Sequence, residues 1–159
     1  MADFFLHELA AVGDAKQLEI LFRVNGVKDI DERDADFEGQ AALHWAVRKG
    51  HVRCCKILLE NGADASLRMY QGWTPAHCAA ETGNLEILKL LFEYSGSLIA
   101  KDDYGSTPKH MAEVYGHKEC VKFLEEVEQH PSQKREIIKD RIVNAARRTL
   151  LSSETNKQP

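Results

Sequence analysis

Three sets of side chains in this 159-residue sequence carry groups able to do chemistry. His7, His44, His77 and His110 bring imidazoles, the groups most used as general bases and metal ligands near neutral pH. Cys54, Cys55, Cys78 and Cys120 bring thiols that could hold zinc as thiolates. Asp29, Asp31, Glu32, Asp34, Asp36 and Glu38 form a run of carboxylates, the ligand type of calcium. Spacing argues against each chemistry. Cys54-Cys55 is not Cys-x-x-Cys, and no second ligand pair follows at finger spacing. The acidic run lacks the order and central glycine of an EF-hand and reads as a solvated loop. No Gly-x-Gly-x-x-Gly, Walker loop or nucleophile elbow occurs. The expectation is a protein that is not an enzyme, with no catalytic residues, no metal and no cofactor.

The histidines are better explained by the elements that carry them. Gly39-Gln40-Ala41-Ala42-Leu43-His44, Gly72-Trp73-Thr74-Pro75-Ala76-His77 and Gly105-Ser106-Thr107-Pro108-Lys109-His110 align at a step of 33 residues. Six residues after each His stands a second glycine, Gly50, Gly83 or Gly116; Leu6-His7 and Gly13 repeat the offset. That first unit lies four residues further back than the period requires, and the excess falls in Val27–Glu38, an enlarged loop. In each unit a Thr-Pro or small pair opens a short helix, since Pro at the first turn gives up an N–H that has no partner there anyway. The second glycine ends it. A second helix follows, with apolar residues at helical spacing: Val52, Cys55, Leu58 and Leu59; Leu85, Leu88, Leu91 and Phe92; Cys120, Val121, Phe123 and Leu124. One such helix pair cannot bury its apolar face alone, so the units must stack. Equivalent histidines then lie a packing distance of roughly 8–10 Å apart, too far for one metal ion.

These units resemble the ankyrin repeat, whose pattern is roughly Asp-x-x-Gly-x-Thr-Pro-Leu-His-x-Ala-Ala-x-x-Gly-His. The match covers about residues 4–128, and Gly-Trp-Thr-Pro-Ala-His-Cys-Ala-Ala-Glu-Thr-Gly (72–83) is closest to the pattern. The second unit departs with Ala41-Ala42 for Thr-Pro, the third with Ala76 for Leu, the fourth with Lys109 for Leu and Glu113 for the second Ala. The polar changes in the fourth unit suit a terminal cap. The resemblance implies an all-α solenoid of four helix-turn-helix repeats with β-turn loops (about 4–35, 36–68, 69–101 and 102–128) within a domain of 1–130. It implies that the repeated His hydrogen-bonds within and between repeats. It also places Cys54, Cys55 and Cys120 where the second helix carries buried aliphatic residues. Val121-Lys122-Phe123 superficially resembles a phosphatase-docking motif but lies in that same helix, where Val121 and Phe123 should be core.

Past the repeats the charge changes sign. Residues 131–159 hold seven Lys and Arg against three Asp and Glu, a net +4, while 1–130 carry −8, together the chain's −4. Ser132 is an N-cap candidate, and Ile138, Ile142, Ala145 and Thr149 form one stripe flanked by Lys134, Arg141 and Arg148. The expectation is a basic amphipathic helix over 131–151 that either covers the fourth repeat or binds a partner through Lys134, Arg141 and Arg148, and a disordered tail over 152–159. An acidic solenoid repels phosphate and the tail has no aromatic residue, so nucleic acid is not the expected partner. Apolar runs such as Ile57-Leu58-Leu59 are far short of the ~20 residues of a membrane span. The first residues lack the basic start of a signal peptide. With four cysteines this reads as a reduced monomer in the cytoplasm, the nucleus or both.

The resemblance also implies a binding surface, the concave face made by turn tips and first helices. Its variable positions fall here on Phe37, Glu38, Gln40, Arg48 and Lys49; on Tyr70, Gln71, Trp73 and Glu81; and on Asp103, Tyr104 and Tyr115. Aromatic residues near three consecutive tips are of the type that dominates binding energy. The function expected is a protein-interaction adaptor or scaffold that binds a partner protein, with no small-molecule substrate. The alternative is a steric inhibitor or regulatory subunit of an intracellular enzyme such as a kinase or phosphatase.

Overall fold

A computed structural model describes residues 2–24 and 26–130. The elements over 131–159, including Lys134, Arg141 and Arg148, lie outside the described residues. Within them the chain forms four antiparallel helix pairs: α1 (Ala2–Val12) and α2 (Ala15–Val24), α3 (Ala42–Lys49) and α4 (Val52–Glu60), α5 (Pro75–Glu81) and α6 (Leu85–Glu93), α7 (Pro108–Val114) and α8 (Lys118–Gln129). First helices pack in the order α1, α3, α5, α7, and second helices in the order α2, α4, α6, α8. One continuous core runs between the two layers, with Leu6, Leu18, Leu43, Leu58, Leu88, Leu91 and Leu124 essentially removed from solvent. The fold is the all-α solenoid read from the repeat.

The repeated histidines reach forward along the chain, and His77 joins its unit to the next. His77 accepts the Thr74 amide at Nδ1 (3.2 Å) and lies 2.9 Å from the Thr74 hydroxyl, which fixes the proton on Nε2. Nε2 then donates to the Ser106 carbonyl of the following repeat at 3.0 Å. His44 takes the Ala41 amide (3.3 Å), without a hydroxyl because Ala41 replaces the Thr, and meets the Leu67 carbonyl (3.0 Å) at the end of its own unit. His7 reaches the Glu32 carbonyl at 2.9 Å. His110 is exposed, and among the described residues no further repeat follows to receive its ring.

A second set of histidines ties backward. His51 Nε2 meets the Ala11 carbonyl at 3.1 Å, and His117 Nε2 the Glu81 carbonyl at 2.9 Å, each at the end of the preceding first helix. At the equivalent place in the third repeat Asn84 instead caps its own helix, accepting the Ile87 amide at 3.0 Å. These rings explain the second glycine. A Cβ on Gly83 would stand 2.5 Å from His117 Nδ1, and one on Gly13 would stand 2.7 Å from His51 Nδ1. Gly83 also has φ +69°, left-handed backbone that side chains disfavour.

The enlarged loop takes a definite form. The first tip is closed by Asp34 N–H donating to the Gln40 carbonyl (2.9 Å), whereas the next two close over a shorter span, Met69 to Trp73 (2.8 Å) and Asp102 to Ser106 (2.9 Å). Tips are laced together by Tyr70 N–H on the Glu38 carbonyl and Asp103 N–H on the Gln71 carbonyl, both 2.9 Å. Below them the Asp31 carboxylate accepts the Asp64 amide at 3.0 Å, and Ser66 Oγ accepts the Ser97 amide at 2.8 Å. The acidic run therefore includes a structural tie between repeats, which its composition did not reveal.

Two predictions follow from these bonds. Burial pushes the His44 imidazole from its usual 6.5 down to about 4 and lowers His77 too, partly offset by their carbonyl partners. Both are neutral in the fold, so their stabilisation is complete above pH 6.5 and declines as pH falls; for His44 it is lost as pH falls through about 4, and the loss approaches about 3 kcal/mol. Thermal melts from pH 7.5 to 4.5 should show this decline, and a His44→Gln/His77→Gln protein, although less stable, should show a shallower one. Gly83→Ala should cost roughly 1–3 kcal/mol. His117→Ala added to Gly83→Ala should cost less than the two separate losses combined, because the clash disappears with the ring.

Candidate functional site

The tips take their shape from two strained positions. Glu38 and Gln71, neither a glycine, have φ of +58° and +65°, and each is followed by a left-handed glycine, Gly39 or Gly72. Consecutive left-handed residues make the tight turn favoured between twisted strands, and they turn the preceding side chain outward. Tyr70 precedes one such pair and Phe37 the other. The third tip is built differently, with Gly105 as its left-handed residue and the Asp102 carboxylate accepting the Tyr104 and Ser106 amides at 2.9 and 2.8 Å.

Between the second- and third-repeat tips lies a cavity of about 170 Å³, lined by Glu38, Arg48, Met69, Tyr70, Gln71 and Trp73. Five of these six are positions the sequence had marked. Met69, Tyr70 and Trp73 give it apolar walls. Arg48 Nη1 and Glu38 Oε2 form an ion pair of 3.3 Å at its edge. Trp73 is half-buried and stacks on His77, with ring centres 6.1 Å apart and planes 23° from parallel. The third-repeat tip thus rests on the histidine that ties that repeat to the next. Tyr70 is 54% exposed, yet a Cβ on Gly39 would approach its Cε1 to 2.8 Å, so the ring also packs over the neighbouring tip.

The remaining marked residues are spread along the same face. Phe37 is 53% exposed and meets Trp45 edge-on, with ring centres 5.5 Å apart. Tyr104 is 78% exposed. Lys49 and Asp103 are exposed, and Glu81 is half-buried. Tyr115 is exposed and lies nearly parallel to the His117 ring, centres 6.4 Å apart. Gln40 departs from its expected place. It is only 3% exposed, and its Oε1 is buried without a partner among the described residues. It occupies the base of the first tip, as Trp73 does in the third repeat, and is turned into the stack rather than outward. Sequence reasoning missed Met69, which offers only a lone apolar residue before a tip. It also missed His51 and His117, although their shared offset after Gly50 and Gly116 could have shown them.

The groups that could do chemistry are placed for structure. Cys54, Cys55, Cys78 and Cys120 are buried and unbonded to one another. Burial raises all four thiols, Cys78 to about 12, so they are protonated at neutral pH. Val121 and Phe123 are half-buried against the core, Phe123 edge-on to Phe92, so both apolar side chains of the motif are engaged in packing. Among the described residues no three His, Cys, Asp or Glu side chains converge on a possible metal site. No helix among them is long and apolar enough to cross a membrane.

A family model for ankyrin repeats (three copies) matches residues 6–102 and 63–135. Curated relatives match over shorter stretches. An ankyrin repeat domain-containing protein 13C of Danio rerio is 32% identical over 69 residues, 43% of this chain and 13% of that protein. The human transient receptor potential cation channel subfamily A member 1 is 37% identical over 70 residues, 44% of this chain and 6% of the channel. The mouse ankyrin repeat domain-containing protein 13B is 36% identical over 69 residues, 43% of this chain and 10% of that protein. The matches thus span about a tenth of the relatives' length, a shared repeat rather than a shared whole.

Thiol accessibility checks the cysteine placement. In native protein at pH 8 all four thiols should react with a water-soluble disulfide reagent at least about a hundred-fold more slowly than in denatured protein. A rapidly reacting native thiol would contradict their burial.

Proposed function

This chain belongs to the ankyrin-repeat family, and from that premise we propose that it is a protein-interaction module that binds a partner protein on the face formed by its turn tips and first helices. Ankyrin repeats are in general protein–protein interaction modules. What supports this face is the cavity between the second- and third-repeat tips, where Tyr70, Trp73 and Met69 wall a space edged by the Arg48–Glu38 ion pair. Binding hot spots are typically aromatic and Arg side chains in small pockets ringed by polar groups. Phe37 and Tyr104 extend the same surface to the tips on either side. The module works without chemistry of its own, as an adaptor or scaffold. Buried, protonated thiols suit the reducing cytoplasm or nucleus.

The test is affinity capture by the full chain, quantified by mass spectrometry. Tyr70→Ala/Tyr104→Ala should reduce recovery of the specific partner at least about ten-fold with helical circular dichroism unchanged. Lys89→Ala, an exposed change on α6, should leave recovery intact. Equal recovery by the tip variant would sink the reading. Loss of helical signal would show that the aromatic side chains serve packing.

A further inference from the structure

The second and third repeats bury their outer faces under the repeat that follows. Leu43, His44, Val47, Cys55 and Leu59 in the second repeat, and Ala76, His77, Ala80, Leu88 and Phe92 in the third, are all at most 8% exposed. The same places in the fourth repeat hold Lys109, His110, Glu113, Val121 and Glu125. Of these, His110, Glu113 and Glu125 are exposed, and Lys109 and Val121 are half-buried. Carboxylates at core positions disfavour a fifth repeat of the same kind, which would bury them without cations. The face nevertheless keeps an apolar floor. A cavity of about 350 Å³ opens between α7 and α8 over Ala112, Gly116 and Val121.

Charge and spacing say what covers that floor. Together α7 and α8 hold three Lys and five Glu, a net −2. Lys109 Nζ lies 2.7 Å from Glu128 Oε2. That bond raises the Lys109 ammonium above its usual value, and the charges of Glu113 and Glu125 add to the rise, so three carboxylates share one cation. The other two cations, Lys118 and Lys122, stand on the cavity rim in the first two turns of α8. Glu125 and Glu128 stand in its last two turns, the end from which the chain continues. Directly beyond, residues 131–151 carry six Lys and Arg against two Asp and Glu, a net +4. The first of these cations, Lys134 and Arg135, follow within six residues of Gln129, the last residue of α8. The histidines point to the same stretch. The rings of His7, His44 and His77 meet carbonyls 25, 23 and 29 residues further along. Counted from His110, those offsets fall within 133–139.

We propose that the chain's own residues 131–151 fold back on the outer face of the fourth repeat. Ile138 and Ile142 lie on the floor between α7 and α8, Lys134 and Arg135 beside Glu113, Glu125 and Glu128, and a backbone carbonyl of 133–139 receives His110. A tethered occupant outcompetes an external one, because a short connection holds it at an effective concentration of roughly millimolar. The segment then closes the end of the stack to a second copy of the chain and leaves the turn tips open. The inference is independent of what the tips bind.

The experiment uses the full chain and two readouts. In thermal melts, Ile138→Asp/Ile142→Asp should lower the midpoint by at least about 3 °C. Glu113→Lys/Glu125→Lys and Lys134→Glu/Arg135→Glu should each lower it too, and all four changes together should lower it by less than the two effects combined. For placement, Glu113→Cys/Ile138→Cys is oxidised with glutathione disulfide at low protein concentration, where the buried native thiols do not compete. A disulfide within one chain should form at least about ten-fold faster than in Lys89→Cys/Ile138→Cys, whose first site is exposed one repeat away. Equal rates in the two proteins, or a midpoint unchanged by Ile138→Asp/Ile142→Asp, would overturn the inference. A disulfide formed between two chains instead would give the face to a second copy and overturn it as well.

Discussion

The hydrogen bond from a buried imidazole to the carbonyl of the next repeat is the constraint on which the stack depends. His77 spans Thr74 on one side and Ser106 on the other, and both ring nitrogens are occupied in a place almost without water. A buried polar group without its partner costs about 1–3 kcal/mol, so the third repeat is committed to the fourth at one distance and in one register. The cost of charging the ring in that place keeps it neutral, which preserves both the acceptor at Nδ1 and the donor at Nε2.

Two opposed sets of bonds make the stack rigid. His44 and His77 reach forward from the start of a first helix, and His51 and His117 reach back to the end of the preceding one. α5 is therefore held near both ends, by His77 at its start and His117 at its end, with apolar packing between. The tips inherit that rigidity. Trp73 lies on His77, and the Tyr70 and Asp103 amides bond to the tips before them. The backbone of such tips is thereby fixed before any contact is made.

Much of the architecture was legible in the sequence. The 33-residue step, Thr-Pro before His and the second glycine fixed the helix pairs, because each residue type answers a local need: a φ of −65°, a capping acceptor, a left-handed residue. The tip face was legible at coarser grain. Tyr70, Trp73, Glu38, Arg48 and Gln71 follow from repeat position, and they do surround one cavity. Gln40 follows from the same rule and is buried, since position in a repeat says which way the backbone faces and not whether a long side chain folds inward.

What the sequence by itself determined is therefore the periodic part: four helix pairs, their order, the buried thiols and the row of tips. These depend on interactions within a unit or on burial that recurs at every step. The tertiary structure alone decided which neighbour each polar group meets. It gave Asp31, one carboxylate in an apparently solvated run, to the Asp64 amide, and it placed Met69 in the lining of one cavity with Tyr70 and Trp73. It also set Glu38 beside Arg48, ten residues away in sequence. The reason is physical: a period fixes the distance between equivalent backbones, while the pairing of side chains across that distance depends on rotamers and turn strain that only the packed stack selects.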